Sequence, residues 1–279
     1  MIPRIGISTY AYTWRLSEHA ERPMTLDDVL DDAARLELGV LQICDHPPLE
    51  AASPDELHAL RDRADALGIA LEVGTRGIAT AHLLHLLDVA VALGSPVVRS
   101  MLTSGDHRPS PDEAVTLLRA IADAYAAAGV RLALETYEQV PTATLVDVVE
   151  RVGHPAVGIC LDPANPVAAL EHPRDVVERC AALTTNVHVK DFGFSRAEGW
   201  VGFTYAGARL GEGLLDYEHL LEAVRPVERG LSQIIEHWVA WRGDAASTIA
   251  IEEEWTEHAA RVLRERHALA VPRRRGLAP

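Results

Sequence analysis

The sequence predicts an α/β protein of the (β/α)8 TIM-barrel class, and three observations carry that prediction. Eight short apolar runs alternate with longer amphipathic stretches along the 279 residues. The runs are nearly continuous in hydrophobicity, which is typical of parallel strands covered on both faces. Eight strand–helix units of about 35 residues each match the size of such barrels. We therefore expect a single barrel domain over residues 1–270, followed by a flexible basic tail over residues 271–279.

The predicted strands are rich in Val, Ile and Leu and are separated by helix-length segments. They are Ile5–Thr9, Val40–Cys44, Ala70–Gly74, Val97–Met101, Arg131–Glu135, Val157–Leu161, Asn186–Val189 and Gln233–Glu236. A doubly wound open sheet is the alternative, and it usually carries a glycine-rich phosphate turn after its first strand. The corresponding turn here reads GISTYAYTW and has no such pattern, so the barrel is favoured.

The helical stretches carry start and stop signals. Thr25, Ser53 and Ser110 each precede an amphipathic stretch with acids or Pro in its first turn, as N-cap residues do. The acids also suit the positive end of the helix dipole. Glycines that separate a helix from the next strand are expected to end helices; they are Gly39, Gly68, Gly94 and Gly129.

One long segment, Phe192–Gly213, is predicted to be an irregular loop after the seventh strand. It contains the aromatic residues Phe192, Phe194, Trp200, Phe203 and Tyr205 among its glycines. Long loops in compact domains are usually functional or disordered. An aromatic one between a strand and its helix is expected to cover a site.

Composition and charge exclude several classes of protein. The chain is 48% apolar and 24% charged, which is typical of soluble globular proteins. Its formal net charge of −15 argues against a nucleic-acid partner, and no apolar run approaches the ~20 residues that span a membrane. Three cysteines without CxxC spacing fit a reducing cytoplasm, where we expect the protein to act on a small molecule. A homo-oligomer remains an option.

Polar residues end four successive predicted strands, where a barrel places its active site. They are Glu135, Asp162, His188 and Glu236. Burial of three carboxylates in one barrel mouth is prohibitive without a cation. Carboxylate oxygens and an imidazole nitrogen suit Mn2+, Co2+, Mg2+ or Zn2+. We therefore expect one divalent metal ion, whose identity these ligand types leave open.

Two alternatives accompany this prediction. A single acid at a strand end is more often a helix cap or an ion-pair partner than a metal ligand. A metal site is favoured because four such residues occupy equivalent positions at the ends of adjacent strands. On the eighth strand, His237 competes with Glu236 for the inward position, because neighbouring residues on a strand point to opposite faces.

The strand endings resemble those of a known family. LALET, CLDPAN, NVHVKDF and IIEHW, together with LGEGLLD at 210–216, are similar to the xylose isomerase-like TIM barrels, the sugar phosphate isomerase/epimerase superfamily. The resemblance covers essentially the whole chain. It implies that Glu135, Asp162, His188 and Glu236 hold one divalent metal, and that Glu135 and Glu236 also move protons as the catalytic residues.

Six further residues near strand ends are candidates for substrate binding. Arginines can hold a carboxylate, phosphate or hydroxyl with two parallel hydrogen bonds. The only lysine beside 25 arginines stands in the HVKD segment, where a compact ammonium would matter. The candidates are Lys190, Arg99, Arg76, Asn165, His46 and Trp14.

Four functions are weighed. The first is a metal-dependent isomerase or epimerase of a keto sugar or related polyol, working through an enediolate. The second is a metal-dependent lyase or dehydratase on a keto-polyol, a keto-acid or a 3-keto-glycoside, which would use the same four ligands. A non-catalytic sugar-binding barrel is the third. A zinc nuclease is the fourth, and the acidic charge and the missing additional His ligands weigh against it.

Overall fold

A closed barrel of eight parallel strands forms the centre of the protein. The computed structural model describes residues 4–197, 199 and 201–270. Its strands are β1 (Ile5–Ser8), β2 (Val40–Cys44), β3 (Ala70–Gly74), β4 (Val97–Ser100), β5 (Arg131–Glu135), β6 (Val157–Leu161), β7 (Thr184–Val189), β8 (Phe192–Arg196), β9 (Phe203–Gly207) and β10 (Gln233–Ile235). Around the barrel the order is β1-β10-β7-β6-β5-β4-β3-β2, and β8 and β9 form a separate pair. The predicted TIM-barrel class is therefore confirmed.

Helices lie between the strands and cover the barrel from outside. They are α1 (Leu26–Arg35), α2 (Pro47–Glu50), α3 (Pro54–Leu67), α4 (Thr80–Leu93), α5 (Pro111–Ala127), α6 (Thr142–Val152), α7 (Pro173–Cys180), α8 (Tyr217–Val224), α9 (Pro226–Arg229) and α10 (Ala245–Ala270). The three predicted N-caps are confirmed. Thr25, Ser53 and Ser110 each form a reciprocal capping box with an acid three residues later.

The predicted helix ends are correct at three glycines and wrong at one. Gly68 and Gly94 are left-handed caps of α3 and α4, and Gly129 adopts a positive φ of 70° directly after the cap of α5. The prediction fails at Gly39, because α1 ends at Arg35 and it is Glu37 that adopts the positive φ of 57°. The Gly39 N–H already donates to Ile5 O, so the chain has turned toward the barrel before this residue.

Alternation along the strands separates an outer apolar core from a polar barrel interior. On β3, Leu71 and Val73 belong to the core beneath the helices, whereas Glu72 points the other way. The Gln42 side chain on β2 contacts Asn186 on β7, although β2 and β7 are not neighbours in the sheet. That contact therefore crosses the inside of the barrel.

The segment predicted to be irregular contains a β-hairpin. Strands β8 and β9 pair antiparallel from Phe192↔Gly207 to Arg196↔Phe203. The expectation of a structureless loop was therefore wrong, and alternating aromatic residues such as Phe192 and Phe194 are the missed strand signal. At its base, the Tyr205 hydroxyl donates to Ala164 O at 2.7 Å, which fixes the hairpin to the barrel mouth.

Two sequence predictions concern residues outside the described part of the chain, namely Trp200 in the aromatic segment and the basic tail over residues 271–279. Within the described residues, no helix combines the length and the apolar character needed to cross a lipid bilayer.

Candidate metal centre

Four side chains from adjacent strands meet at the carboxyl end of the barrel. Glu135 ends β5, Asp162 follows β6, His188 lies on β7 and Glu236 follows β10. One ligand atom from each lies within 4.8 Å of the others. His188 Nδ1 is 3.5 Å from Glu135 Oε1, 3.6 Å from Asp162 Oδ2 and 3.5 Å from Glu236 Oε1. We call these four buried residues the ligand cluster.

The ligand cluster has the unsatisfied atoms that a metal site requires. His188 Nδ1 and Glu236 Oε1 are buried, lie 3.5 Å apart and make no hydrogen bond within the described residues, whereas Glu135 Oε2 and Asp162 Oδ2 are paired with the charged groups of Arg99 and Lys190. Buried polar atoms are normally paired, so this free nitrogen and oxygen, with the Glu135 and Asp162 carboxylates beside them, need a shared partner. Three oxygens and one nitrogen are a suitable donor set for a divalent ion. The residues therefore fit such an ion.

Two cations partly balance the three carboxylates. Lys190 Nζ lies 2.6 Å from Asp162 Oδ2 and 3.2 Å from Glu236 Oε2, and Arg99 pairs with Glu135. Burial opposes the negative charge on Glu135, but Arg99 and His188 outweigh it and hold the pKa of Glu135 below its usual range. Without a further cation, the cluster keeps one excess negative charge while His188 is neutral.

The same electrostatics act on the nitrogen groups. Burial opposes the positive charge of Lys190, but Asp162 and Glu236 outweigh it and raise the Lys190 pKa above its usual range. For His188, burial is likewise outweighed by nearby negative groups, Glu236 and Glu135 among them, and its pKa is raised. A proton on His188 and a bound metal are therefore alternative ways to balance the cluster.

A second buried polar group lies beneath the ligand cluster, and we call it the amide layer. It consists of Gln42, Glu72, Asn186 and Ser232. Glu72 Oε2 accepts hydrogen bonds from Gln42 Nε2 and Asn186 Nδ2, both at 3.0 Å, and Ser232 Oγ donates to Glu72 Oε1. Burial raises the pKa of Glu72, while these three hydrogen bonds oppose that shift.

The competition on the eighth barrel strand is resolved in favour of Glu236. Glu236 faces the ligand cluster, whereas His237 points to the outside and lies 3.1 Å from Thr256 Oγ1 on α10. Burial, together with the charge of Arg15, lowers the pKa of His237 to about 3. His237 is thus a neutral packing residue that contacts the Trp255 ring edge-on.

A cavity of about 100 Å3 opens above the ligand cluster. Four of the six predicted substrate-binding residues line it, namely Arg76, Arg99, Asn165 and Lys190. Asn165 donates to Glu135 Oε1 at 2.7 Å and accepts from Lys190 Nζ at 3.2 Å, so it links a ligand to the buried ammonium. The complete lining is Tyr10, Arg76, Arg99, Met101, Glu135, Tyr137, Asn165, Lys190, Glu236 and Trp238.

The other two predicted binding residues do not line this cavity. Trp14 lies along an adjoining groove of about 430 Å3, which shares Tyr137, Asn165 and Trp238 with the cavity. His46 is the N-cap of α2 and faces a separate groove beside α3. The positive φ of 46° at Asp45 turns the chain just before His46.

Sequence reasoning missed several residues of the site. Tyr137 and Trp238 lie two residues beyond Glu135 and Glu236, so the alternation of side chains was the available signal for both. The amide layer was also missed. Its signal was the presence of Gln42, Glu72 and Asn186 inside strands predicted to be buried on both faces.

The structure explains why HVKD and LGEG occur together. The Asp191 carboxylate accepts four backbone hydrogen bonds of 2.8–3.0 Å, from the N–H groups of Phe192, Gly211, Gly213 and Leu215. A Cβ at Gly213 would collide with this carboxylate and with Phe192 O. Asp191 therefore fixes the returning end of the hairpin segment next to Lys190.

Comparison with known proteins places these features in context. The family model described as xylose isomerase-like TIM barrel matches residues 30–266. A 3-oxo-isoapionate decarboxylase of Pectobacterium atrosepticum is 48% identical over 266 residues, covering 95% of this chain and 97% of that protein.

Solved structures show the same fold at low sequence identity. D-psicose 3-epimerase from Clostridium cellulolyticum H10, with D-tagatose, is 19% identical with a TM-score of 0.70, covering 96% of this chain and 99% of that one. A xylose isomerase-like TIM barrel protein from Mycobacterium smegmatis, in complex with magnesium, is 17% identical with a TM-score of 0.67, covering 92% and 97%.

Proposed function

This chain belongs to the xylose isomerase-like TIM barrel family, and on that premise we propose that it is a metal-dependent decarboxylase of a 3-oxo sugar acid. The observation that carries the proposal is the buried ligand cluster, whose four ligand atoms lie within 4.8 Å of one another beside a cavity lined by Glu135 and Glu236. The decarboxylase relative, at 48% identity over nearly both chains, supports this choice of reaction. It favours the lyase alternative of the sequence analysis over the isomerase.

The chemistry of a 3-oxo acid suits this site. When the bond between the carboxylate carbon and C2 breaks, carbon dioxide leaves and the electron pair stays on C2. That pair is delocalised onto the C3 carbonyl oxygen as an enolate, which then takes up one proton at C2. Isomerisation through an enediolate places negative charge on the same kind of oxygen, so one site is able to serve either reaction.

Glu135, Asp162, His188 and Glu236 would hold the divalent ion. When bound, the ion supplies Lewis-acid stabilisation of the oxygen on which negative charge develops. Mn2+, Co2+, Mg2+ and Zn2+ all accept this set of donors. Lys190 adds a buried positive charge on the same side of the cavity.

The cations at the cavity differ in their freedom to bind substrate. Arg99 is buried and already pairs with Glu135 and donates to Thr75 O at 3.1 Å. Arg76 is half-exposed at the rim, where it contacts Asp45 and the Tyr10 hydroxyl. We therefore assign recognition of an anionic or hydroxyl group of the substrate to Arg76, and orientation of Glu135 to Arg99.

Glu236 is the better placed of the two glutamates to return the proton to C2, through Oε2, which is hydrogen-bonded to the Lys190 ammonium, while Oε1 would be the atom that holds the ion. Both carboxylate oxygens of Glu135 are engaged, one by Asn165 and the other by Arg99. Only Oε2 of Glu236 is engaged, by Lys190, and Oε1 is without a hydrogen bond among the described residues. Glu135 then serves as a permanently ionised ligand.

The test uses 3-oxo-isoapionate carrying 13C in its carboxylate, with the purified protein and Mn2+ in D2O. The proposal predicts labelled bicarbonate, together with one deuterium in the product at the carbon that was C2 of the substrate, and loss of both signals after chelation. Label that stays in the substrate contradicts it. Interconversion of D-psicose or D-tagatose without release of carbon dioxide would support the isomerase instead.

A further inference from the structure

His188 is connected to Glu72 through a single side chain. Gln42 Oε1 lies 2.9 Å from His188 Nε2, and Gln42 Nε2 donates to Glu72 Oε2 at 3.0 Å and to Asn186 Oδ1 at 3.1 Å. All four residues are buried in the barrel interior. Because an amide oxygen only accepts, Nε2 of His188 carries a proton, and in the neutral imidazole Nδ1 then presents its lone pair to the ligand cluster.

Two amides and an imidazole do not fix that arrangement by themselves. If Gln42 and Asn186 both turned their amide groups over, Asn186 Nδ2 would donate to Gln42 Oε1, and Gln42 Nε2 would donate to His188 Nε2. His188 would then carry its proton on Nδ1, facing the carboxylates. In that tautomer, Nδ1 has no lone pair for a cation.

Glu72 removes this ambiguity because its Oε2 faces both amide groups and only accepts. Gln42 Nε2 and Asn186 Nδ2 both donate to that one oxygen, so turning either amide would set two oxygens against each other. The direction of these hydrogen bonds is the same whether Glu72 is ionised or neutral. A proton on Glu72 would lie on Oε1, next to the Ser232 hydroxyl, and Oε2 would still only accept. Two weak S–H donors support the same orientation of the amides: Cys44 donates to Gln42 Oε1, and Cys160 donates to Asn186 Oδ1.

We infer that Glu72 is a positioning residue for the metal centre, acting through Gln42 to hold His188 in the tautomer that binds a cation. Partners that orient a metal-binding His typically change metal affinity 10- to 100-fold when they are removed. The inference rests on the proposed metal centre but not on the proposed reaction, because metal binding alone reads it out.

The test is a double-mutant cycle on Mn2+ affinity, measured by calorimetry on the full chain. The variants are Glu72→Met, Gln42→Met and the double variant, each of which keeps side-chain length while removing the polar group. If Glu72 acts through Gln42, each single variant weakens affinity about 10- to 100-fold. The double variant is then no weaker than Gln42→Met alone, within about threefold.

Two results overturn the inference. One is a loss of Mn2+ affinity in the double variant that equals the product of the two single losses, and the other is an unchanged Mn2+ affinity in Glu72→Met.

Glu252→Gln is the matched control, because Glu252 is equally buried but accepts hydrogen bonds from Trp14 N and Arg15 instead. The Mn2+ affinity of this variant should stay within about twofold of wild type. Should Glu72→Met not fold, Glu72→Leu removes the same acceptor and takes its place in the cycle, with an expected loss of about 10- to 100-fold that is absent in the Gln42→Met background. Wild-type protein that binds no Mn2+ overturns both the metal centre and this inference, whereas binding without carbon dioxide release contradicts only the decarboxylase.

Discussion

The ligand cluster and the amide layer are both buried polar groups inside one barrel, yet they differ in how their atoms are satisfied. In the amide layer, Glu72 receives hydrogen bonds on both oxygens from neutral donors. In the ligand cluster, His188 Nδ1 and Glu236 Oε1 have no hydrogen bond in the described part of the chain, and the acidic groups are paired with charged side chains instead. Two buried polar layers of one barrel therefore have different tasks.

The difference shows how a buried carboxylate is recognised as functional. A carboxylate that is fully hydrogen-bonded by amides and hydroxyls is a structural element, since its burial cost is already offset. Carboxylates that converge with too few cations are stabilised when a further positive charge binds. The ligand cluster is therefore suited to hold a metal ion, and the amide layer is suited to orient one of its ligands. The following predictions test this distinction.

The largest effect is expected for Glu135→Gln. The change removes an anionic ligand and leaves the buried Arg99 without its partner, and breaking such pairs typically costs about 3–5 kcal/mol. Turnover should fall on the order of 1,000-fold while the circular dichroism spectrum is retained. Glu150→Gln, on the exposed face of α6, makes the same chemical change and should be silent. Near-wild-type turnover of Glu135→Gln would remove Glu135 from the active site.

Lys190→Met should have the next largest effect. It deletes the ammonium that contacts Asp162 and Glu236, and loss of one fixed electrostatic contact in an active site typically costs about 100- to 1,000-fold. Lys190→Arg should not restore the rate, because a planar guanidinium does not reproduce the compact charge that lies 2.6 Å from Asp162 Oδ2 and 3.2 Å from Glu236 Oε2. Steady-state kinetics of both variants check this, and full activity of Lys190→Arg would contradict it.

Metal removal should change stability through the ligand cluster alone. An ion present at about 100 times its dissociation constant stabilises the fold by about 2.7 kcal/mol, or roughly 5–10 °C in Tm for a chain of this size. Scanning calorimetry with and without chelator should show this shift in wild type and in Ser232→Ala, but not in Glu135→Gln. A shift of equal size in Glu135→Gln would place the ion elsewhere.

The smallest effect is expected in the amide layer, for Ser232→Ala. Glu72 Oε1 then loses its hydroxyl donor, which should lower the free energy of unfolding by about 1–3 kcal/mol. Mn2+ affinity should remain within about twofold of wild type, because Oε2 still orients both amides. Urea unfolding and Mn2+ titration check the two halves, and a tenfold loss of affinity would contradict the separate roles of the layers.

Much of the fold was predictable from the sequence because it rests on local patterns. Eight apolar runs match the eight barrel strands to within two residues at each end, and three capping boxes mark helix starts. The hairpin after β7 was missed, since a glycine-rich aromatic segment reads as a loop. The end of α1 was missed because Glu37, rather than a glycine, takes the left-handed conformation.

The convergence of the ligand cluster was also predictable, because strand ends in a parallel barrel share one edge. The choice of Glu236 over His237 came from the resemblance alone, since alternation along a strand leaves open which of two neighbours points inward; the structure places His237 against Thr256 on α10. The connection from Glu72 to His188 was beyond reach as well. It joins β2, β3 and β7 across the barrel interior, and no spacing along the chain encodes such a contact.

The most direct test of the account is a crystal structure of Mn2+-loaded protein with anomalous diffraction at the manganese edge. The account predicts one anomalous peak per chain, about 2.0–2.4 Å from one atom each of Glu135, Asp162, His188 and Glu236. Clear density for these side chains with no peak between them, or a peak held by other residues, would contradict it.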